Sequence, residues 1–122
     1  MDVIEISRRC VRDAFDHPDA WETHLAAAAT LLTEASEQRP GDPLLLTCLG
    51  AVLCDQGHHA QARIRLEQAI VHGSHDRNTY FNLGVALLNS GEPEAASARF
   101  EQARSLQASA QSWEAYFDPQ AH

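Results

Sequence analysis

Apolar residues recur three and four positions apart through the middle of the chain. Leu46, Leu49 and Leu53 form one such stripe, and Tyr80, Leu83 and Leu87 form another. That spacing puts each set on one face of a helix. Gly57 and Gly91 stand where each stripe stops, the place a helix ends in a left-handed residue. Pro93 then falls in the first turn of the next helix, where its missing N–H does no harm. The pattern predicts helices over about 43–56, 59–72, 77–90 and 93–106.

The two stripes belong to one repeat. Leu49-Gly50 meets Leu83-Gly84 at an offset of 34 residues, and Leu53, Gly57 and Ala62 meet Leu87, Gly91 and Ala96 at the same offset. Arg65-Leu66-Glu67-Gln68-Ala69 likewise meets Arg99-Phe100-Glu101-Gln102-Ala103. Gly50 and Gly84 lie inside helices, where glycine costs about 1 kcal/mol against alanine. Such a cost implies a second helix passing too close for a side chain. Ala62 and Ala96 are the small residues expected at that contact. Leu66 with Ala69, and Phe100 with Ala103, are expected on the next helix along.

A period of 34 with this residue order resembles the tetratricopeptide repeat (TPR) family. The likeness is strong over about 43–106 and weak over 18–42. It implies an all-α solenoid of helix-turn-helix repeats forming one domain over 1–122. The parts expected are a divergent N-terminal hairpin (1–42), repeats at 43–76 and 77–110, and a C-terminal cap and tail (111–122). Ser74 and Ala108 stand where the family often has proline.

The ends are less regular. A first helix is expected at about 2–15, with Val3, Cys10, Val11, Ala14 and Phe15 on its apolar side, then a turn at Asp16-His17-Pro18 and a long helix at about 18–38. A solenoid needs such a cap because each internal repeat leaves an apolar face open. Downstream, Trp113, Tyr116 and Phe117 are spaced as one face of a short helix, begun at Ser109 and stopped by Asp118-Pro119. That helix either covers the last repeat or docks a partner, since Trp and Tyr are enriched at binding hot spots.

Composition narrows the function. Aromatic residues make up only 7% of the chain, so the core must be aliphatic and alanine-based. The net charge is −8, all nine basic residues are arginine, and only Arg8, Arg9 and Arg12 cluster. A nucleic-acid binder needs a basic face, and an anionic membrane selects one too, so neither is an expected partner, and a basic or neutral protein is. The acidic start Met1-Asp2-Val3-Ile4-Glu5 does not read as a signal peptide, and no apolar run approaches about 20 residues. Three cysteines without framework spacing read as reduced packing thiols, and the expected location is the cytoplasm.

Candidate chemistry is sparse. His58-His59 and His72-x-x-His75 stand about 20 Å apart on a helix, and neither gathers enough ligands for a closed metal site. No nucleophile elbow or phosphate-cradling loop occurs. The chain is therefore expected to be no enzyme and to carry no metal or cofactor.

The resemblance implies a concave groove lined by the first helices of the repeats. Its lining would be Leu44, Thr47, Ala51 and Asp55 from one repeat and Asn78, Phe81, Val85 and Asn89 from the next, with Asn82 alongside. An alternative reading has Phe81 and Val85 simply packed beneath neighbouring helices. Asn82 matches one asparagine of the TPR clamp for chaperone C-termini, but Cys48 occupies the equivalent earlier position and no lysine completes the set. The groove suits an extended or helical segment of another protein, as in an adaptor or chaperone-like module. The alternatives are a chaperone of the TPR type found in bacterial type III secretion, or a structural element joining copies of itself through Trp113, Tyr116 and Phe117.

Overall fold

The structure is a computed structural model and describes residues 2–116. Those residues form six α-helices and no strand: α1 (Val3–Asp16), α2 (Trp21–Gln38), α3 (Pro43–Asp55), α4 (His59–Val71), α5 (Arg77–Asn89) and α6 (Pro93–Arg104). A single 3₁₀ turn, Pro18–Ala20, leads into α2. No helix among them is long and apolar enough to cross a membrane.

Local sequence explains the helix ends. Asp2, Asp42 and Asp76 accept hydrogen bonds from first-turn amides of α1, α3 and α5 through their side chains. Asp42 and Asp76 stand at the repeat offset, so the period extends to the caps. Gly57 and Gly91 have φ of +80° and +78°. At each, the glycine N–H and the next N–H bond back to the last turn: Gly57 to Cys54 and His58 to Leu53, Gly91 to Leu88 and Glu92 to Leu87. A β-carbon would disfavour that backbone, which is why glycine closes both helices. The α4 end uses the same pair of bonds, from Gly73 and Ser74; Gly73 was not singled out in the sequence.

Each helix packs most closely on its neighbours in the chain, giving hairpins α1–α2, α3–α4 and α5–α6. α3 also packs against α1 and α5. The core is aliphatic, built on Leu25, Leu32, Leu45, Leu49, Leu66 and Leu83. A β-carbon on Gly50 would lie 2.4 Å from Leu66 Cγ, and one on Gly84 would lie 2.5 Å from Phe100 Cε1. The close approach inferred from the glycines is therefore present, but its counterpart differs. Leu66 and Phe100 fill the glycine notches within their own hairpins, while Ala62 and Ala96 are buried nearby.

Two further expectations need correction. The buried stripe of α1 is Ile4, Ser7, Val11 and Ala14, and Phe15 is exposed. The polar Ser7 at a core position hid this register. The expected C-terminal capping helix is also not formed, because residues 105–116 adopt no helix. Ala110 occupies the repeat position of the capping residues Asp42 and Asp76, and among the described residues no further helix is present to stabilise so short a one. Phe117, Asp118 and Pro119 lie outside the described residues.

Candidate functional site: the face covered by the C-terminal segment

The segment following α6 turns back and crosses the odd-numbered helices. Its path begins where the Arg77 N–H, at the start of α5, donates to the Gln107 carbonyl at 3.0 Å. A helix start leaves such amides without intrahelical partners. Asp76 completes the anchor. One carboxylate oxygen accepts both the Asn78 N–H capping α5 (2.9 Å) and the Ser109 N–H (3.0 Å). The other accepts the Ser112 hydroxyl at 2.5 Å.

Ser112 and Trp113 then enter the face and are buried there. The Asn78 side-chain amide donates to the Ser112 hydroxyl oxygen at 2.9 Å. The Asn82 carboxamide donates to the Trp113 carbonyl (2.9 Å) and accepts the Ala115 N–H (3.0 Å). Arg8 of α1 donates to the Ala110 carbonyl at 3.0 Å, and its guanidinium lies 5.8 Å from the Trp113 ring centroid. Cys48 of α3 points its thiol at the Gln111 carbonyl, 3.8 Å away. Arg77 pairs with Glu114 at 2.5 Å in a half-exposed setting, where an ion pair contributes little by itself. Farther on, Tyr116 meets Phe15 at 6.2 Å between ring centroids. The exposed phenylalanine of α1 thus faces the end of this path.

Burial and charge set the chemistry of the face. The Cys48 thiol is pushed well above its ordinary pKa, first by burial and then by the nearby Asp76 carboxylate, with Arg8 opposing. It is therefore a protonated packing group and no nucleophile. Cys10 is raised more modestly, by partial burial and then by Asp13. Among the described residues no three His, Cys, Asp or Glu side chains gather to hold a metal.

The expected groove residues divide by depth. Asn78, Asn82, Val85, Ala51, Asp55 and Thr47 are buried, while Leu44, Phe81 and Asn89 are half-buried. Asn78 and Asn82 touch the segment directly. Thr47 instead hydrogen-bonds Thr79 at 2.6 Å, and Thr79 meets Ser74 at 2.7 Å. That hydroxyl chain ties α3, α5 and the loop before α5, and gives Ser74 its role in place of proline. Phe81 packs on Phe100 with ring centroids 5.4 Å apart, and Arg77 covers its ring. Asn89 bonds the Val85 carbonyl of its own helix.

Sequence reading missed Asp76, Arg8, Ser112 and Gln111. A signal existed for one of them: Asp76 repeats Asp42 at the 34-residue offset. Nothing local marked Arg8 or Gln111. Of the three aromatics put forward for docking, Trp113 is buried in this face and Tyr116 lies at its edge. No protein-family model and no curated protein matches the sequence.

Proposed function

We propose that the chain is a tetratricopeptide-type interaction module that binds an extended segment of a partner protein across α1, α3 and α5. The observation that carries this reading is the Asn82 carboxamide, which bonds a carbonyl and an N–H two residues apart on a non-helical stretch of chain. Such a contact reads backbone, so it serves any chain able to lie in the face, and neighbouring side chains supply selectivity. The 34-residue period, the hairpin pairing and the glycine notches support the repeat-protein part of the reading. Arg8 and Arg77 favour an acid-bearing segment despite the negative net charge of the chain.

Photo-crosslinking in cells tests this. A photoreactive residue replaces Arg12, exposed one turn beyond Arg8, or Arg77, or exposed Val71 on α4 as the control. Partner adducts are expected from the first two positions. Adducts from Val71 alone would refute the reading.

A further inference from the structure

We infer that residues 107–116 are a built-in competitor for this face, and that their sequence states the chemistry of the partner segment the face accepts. The inference rests on the module reading above. The partner is an extended segment carrying a small hydroxyl residue, an aromatic directly after it, an acid next, and a small residue last.

The hydroxyl, the aromatic and the acid each have a receptor group in place, and the backbone of the last residue has one too. The hydroxyl of Ser112 both donates to Asp76 and accepts from Asn78. A hydroxyl does both through one atom; a methyl would leave the half-buried Asp76 carboxylate oxygen and the buried Asn78 amide without this partner. The aromatic at Trp113 is buried beneath the Arg8 guanidinium. The acid at Glu114 meets Arg77. The Ala115 N–H is taken by Asn82. Five receptor side chains, Arg8 from α1, Arg77, Asn78 and Asn82 from α5 and Asp76 just before it, thus meet four consecutive residues. A chance crossing of a loop over helices would not satisfy both ends of a carboxamide and both faces of a hydroxyl.

The docking is also imperfect, which makes it displaceable. The Trp113 indole N–H and the Arg8 Nε are buried without a hydrogen-bond partner. Orphaned buried donors cost free energy that a partner offering acceptors there would recover. The connection from α6 to Gln107 is short, so the segment acts at high effective concentration and masks the face until it is loosened.

The test uses the full chain and a fluorescent peptide, Gln-Ala-Ser-Ala-Gln-Ser-Trp-Glu-Ala-Tyr, copied from residues 107–116. Its anisotropy is titrated with the unaltered chain, with Ser112→Ala/Glu114→Arg, and with Ser112→Ala/Glu114→Arg/Asn82→Ala. Both substitutions in the double variant lie in the segment and leave every residue of the helices unchanged, and thermal melts establish that each protein is folded. The double variant should bind the peptide at least about 10-fold more tightly than the unaltered chain, because apparent affinity falls with the fraction of open molecules. Adding Asn82→Ala should remove that gain. Equal affinity for both chains, no binding to the folded double variant, or binding indifferent to Asn82 would overturn the inference. So would an unaltered chain that is dimeric in sedimentation, since the segment would then sit on a second copy. Failure here with crosslinks still mapping to Arg12 and Arg77 would remove the competitor and leave the module reading. Success here without such crosslinks would remove the protein partner and leave the competitor.

Discussion

The Asn82 side chain and the Trp113 backbone are joined at the centre of the face, with the Asn82 Nδ2 donating to the Trp113 carbonyl at 2.9 Å. Asn82 is fully buried, and its other amide end accepts from Ala115. Both polar ends of that carboxamide point at the segment. The segment answers those groups, and Asn82 in turn satisfies two backbone groups that the missing capping helix would otherwise have paired.

Asp76 caps its helix and holds the covering segment, whereas Asp42 caps its helix and adds only a loose contact with Arg39 at 3.7 Å. Asp42 caps α3 through Leu44 and Leu45, whereas Asp76 caps α5 and also holds Ser109 and Ser112. Loss of a cap costs about 0.5–2 kcal/mol. Asp76→Ala should therefore destabilise more than Asp42→Ala, by roughly 1 kcal/mol for the additional charge-assisted bonds. Denaturant melts of both variants measure the difference. In the Ser112→Ala/Glu114→Arg background the two costs should converge, and a gap that persists unchanged would mean that Asp76 does not anchor the segment.

Gly84 faces the Phe100 ring, so Gly84→Ala should destabilise by about 1–3 kcal/mol through overpacking, although alanine is the better helix former. Shortening the obstacle should relieve it: in a Phe100→Leu background the same substitution should cost less. Thermal melts of the four proteins in this cycle give the coupling, and strictly additive shifts would contradict the contact. A Gly41→Ala control would confound the comparison, because the φ of Gly41 is +80° and an added β-carbon would lie 3.0 Å from the His72 ring. Gly57→Ala is cleaner, with the same φ and open space, and isolates the backbone strain alone.

Cys48 gives a pH signature. Its thiol titrates at an ordinary 9.0 when free, and folding holds the proton on to higher pH. A raised folded pKa stabilises fully below that ordinary value and is lost as pH rises past it. The unaltered chain should therefore lose more stability than Cys48→Ala between about pH 8 and pH 10. Urea melts at both pH values show whether the two proteins separate. Identical slopes would mean that Cys48 is not buried beneath the segment.

Most helix positions were legible because two strong signals coincide. The 34-residue offset fixes where Leu49-Gly50 and Leu83-Gly84 recur, and glycine and proline punctuate each hairpin, so α3 to α6 fall within two residues of their predicted ends. The α1 register was obscured by Ser7, a polar residue in a core stripe. The covering segment was not legible because Trp113 and Tyr116 carry helical spacing while the groups that hold them, Asp76, Asn78, Asn82 and Arg8, lie far away in the chain. Ser109 even makes the opening bond of a helix, accepting from the Gln111 N–H at 3.1 Å. No helix propagates from it. Periodicity reports a local preference, and here tertiary hydrogen bonds outweigh a short helix with nothing to pack on. Asn82 was visible as a family-like asparagine, but its ligand within the same chain was not.

The most direct measurement of the central claim is hydrogen exchange at the Ala115 amide in the full chain. Bonded to Asn82, that amide should exchange at least about 100-fold more slowly than in the free 107–116 peptide. Asn82→Ala should return it to the free rate while amides in the middle of α3, such as that of Leu49, stay protected. An Ala115 amide that exchanges at the free-peptide rate in the unaltered, folded chain would contradict the account.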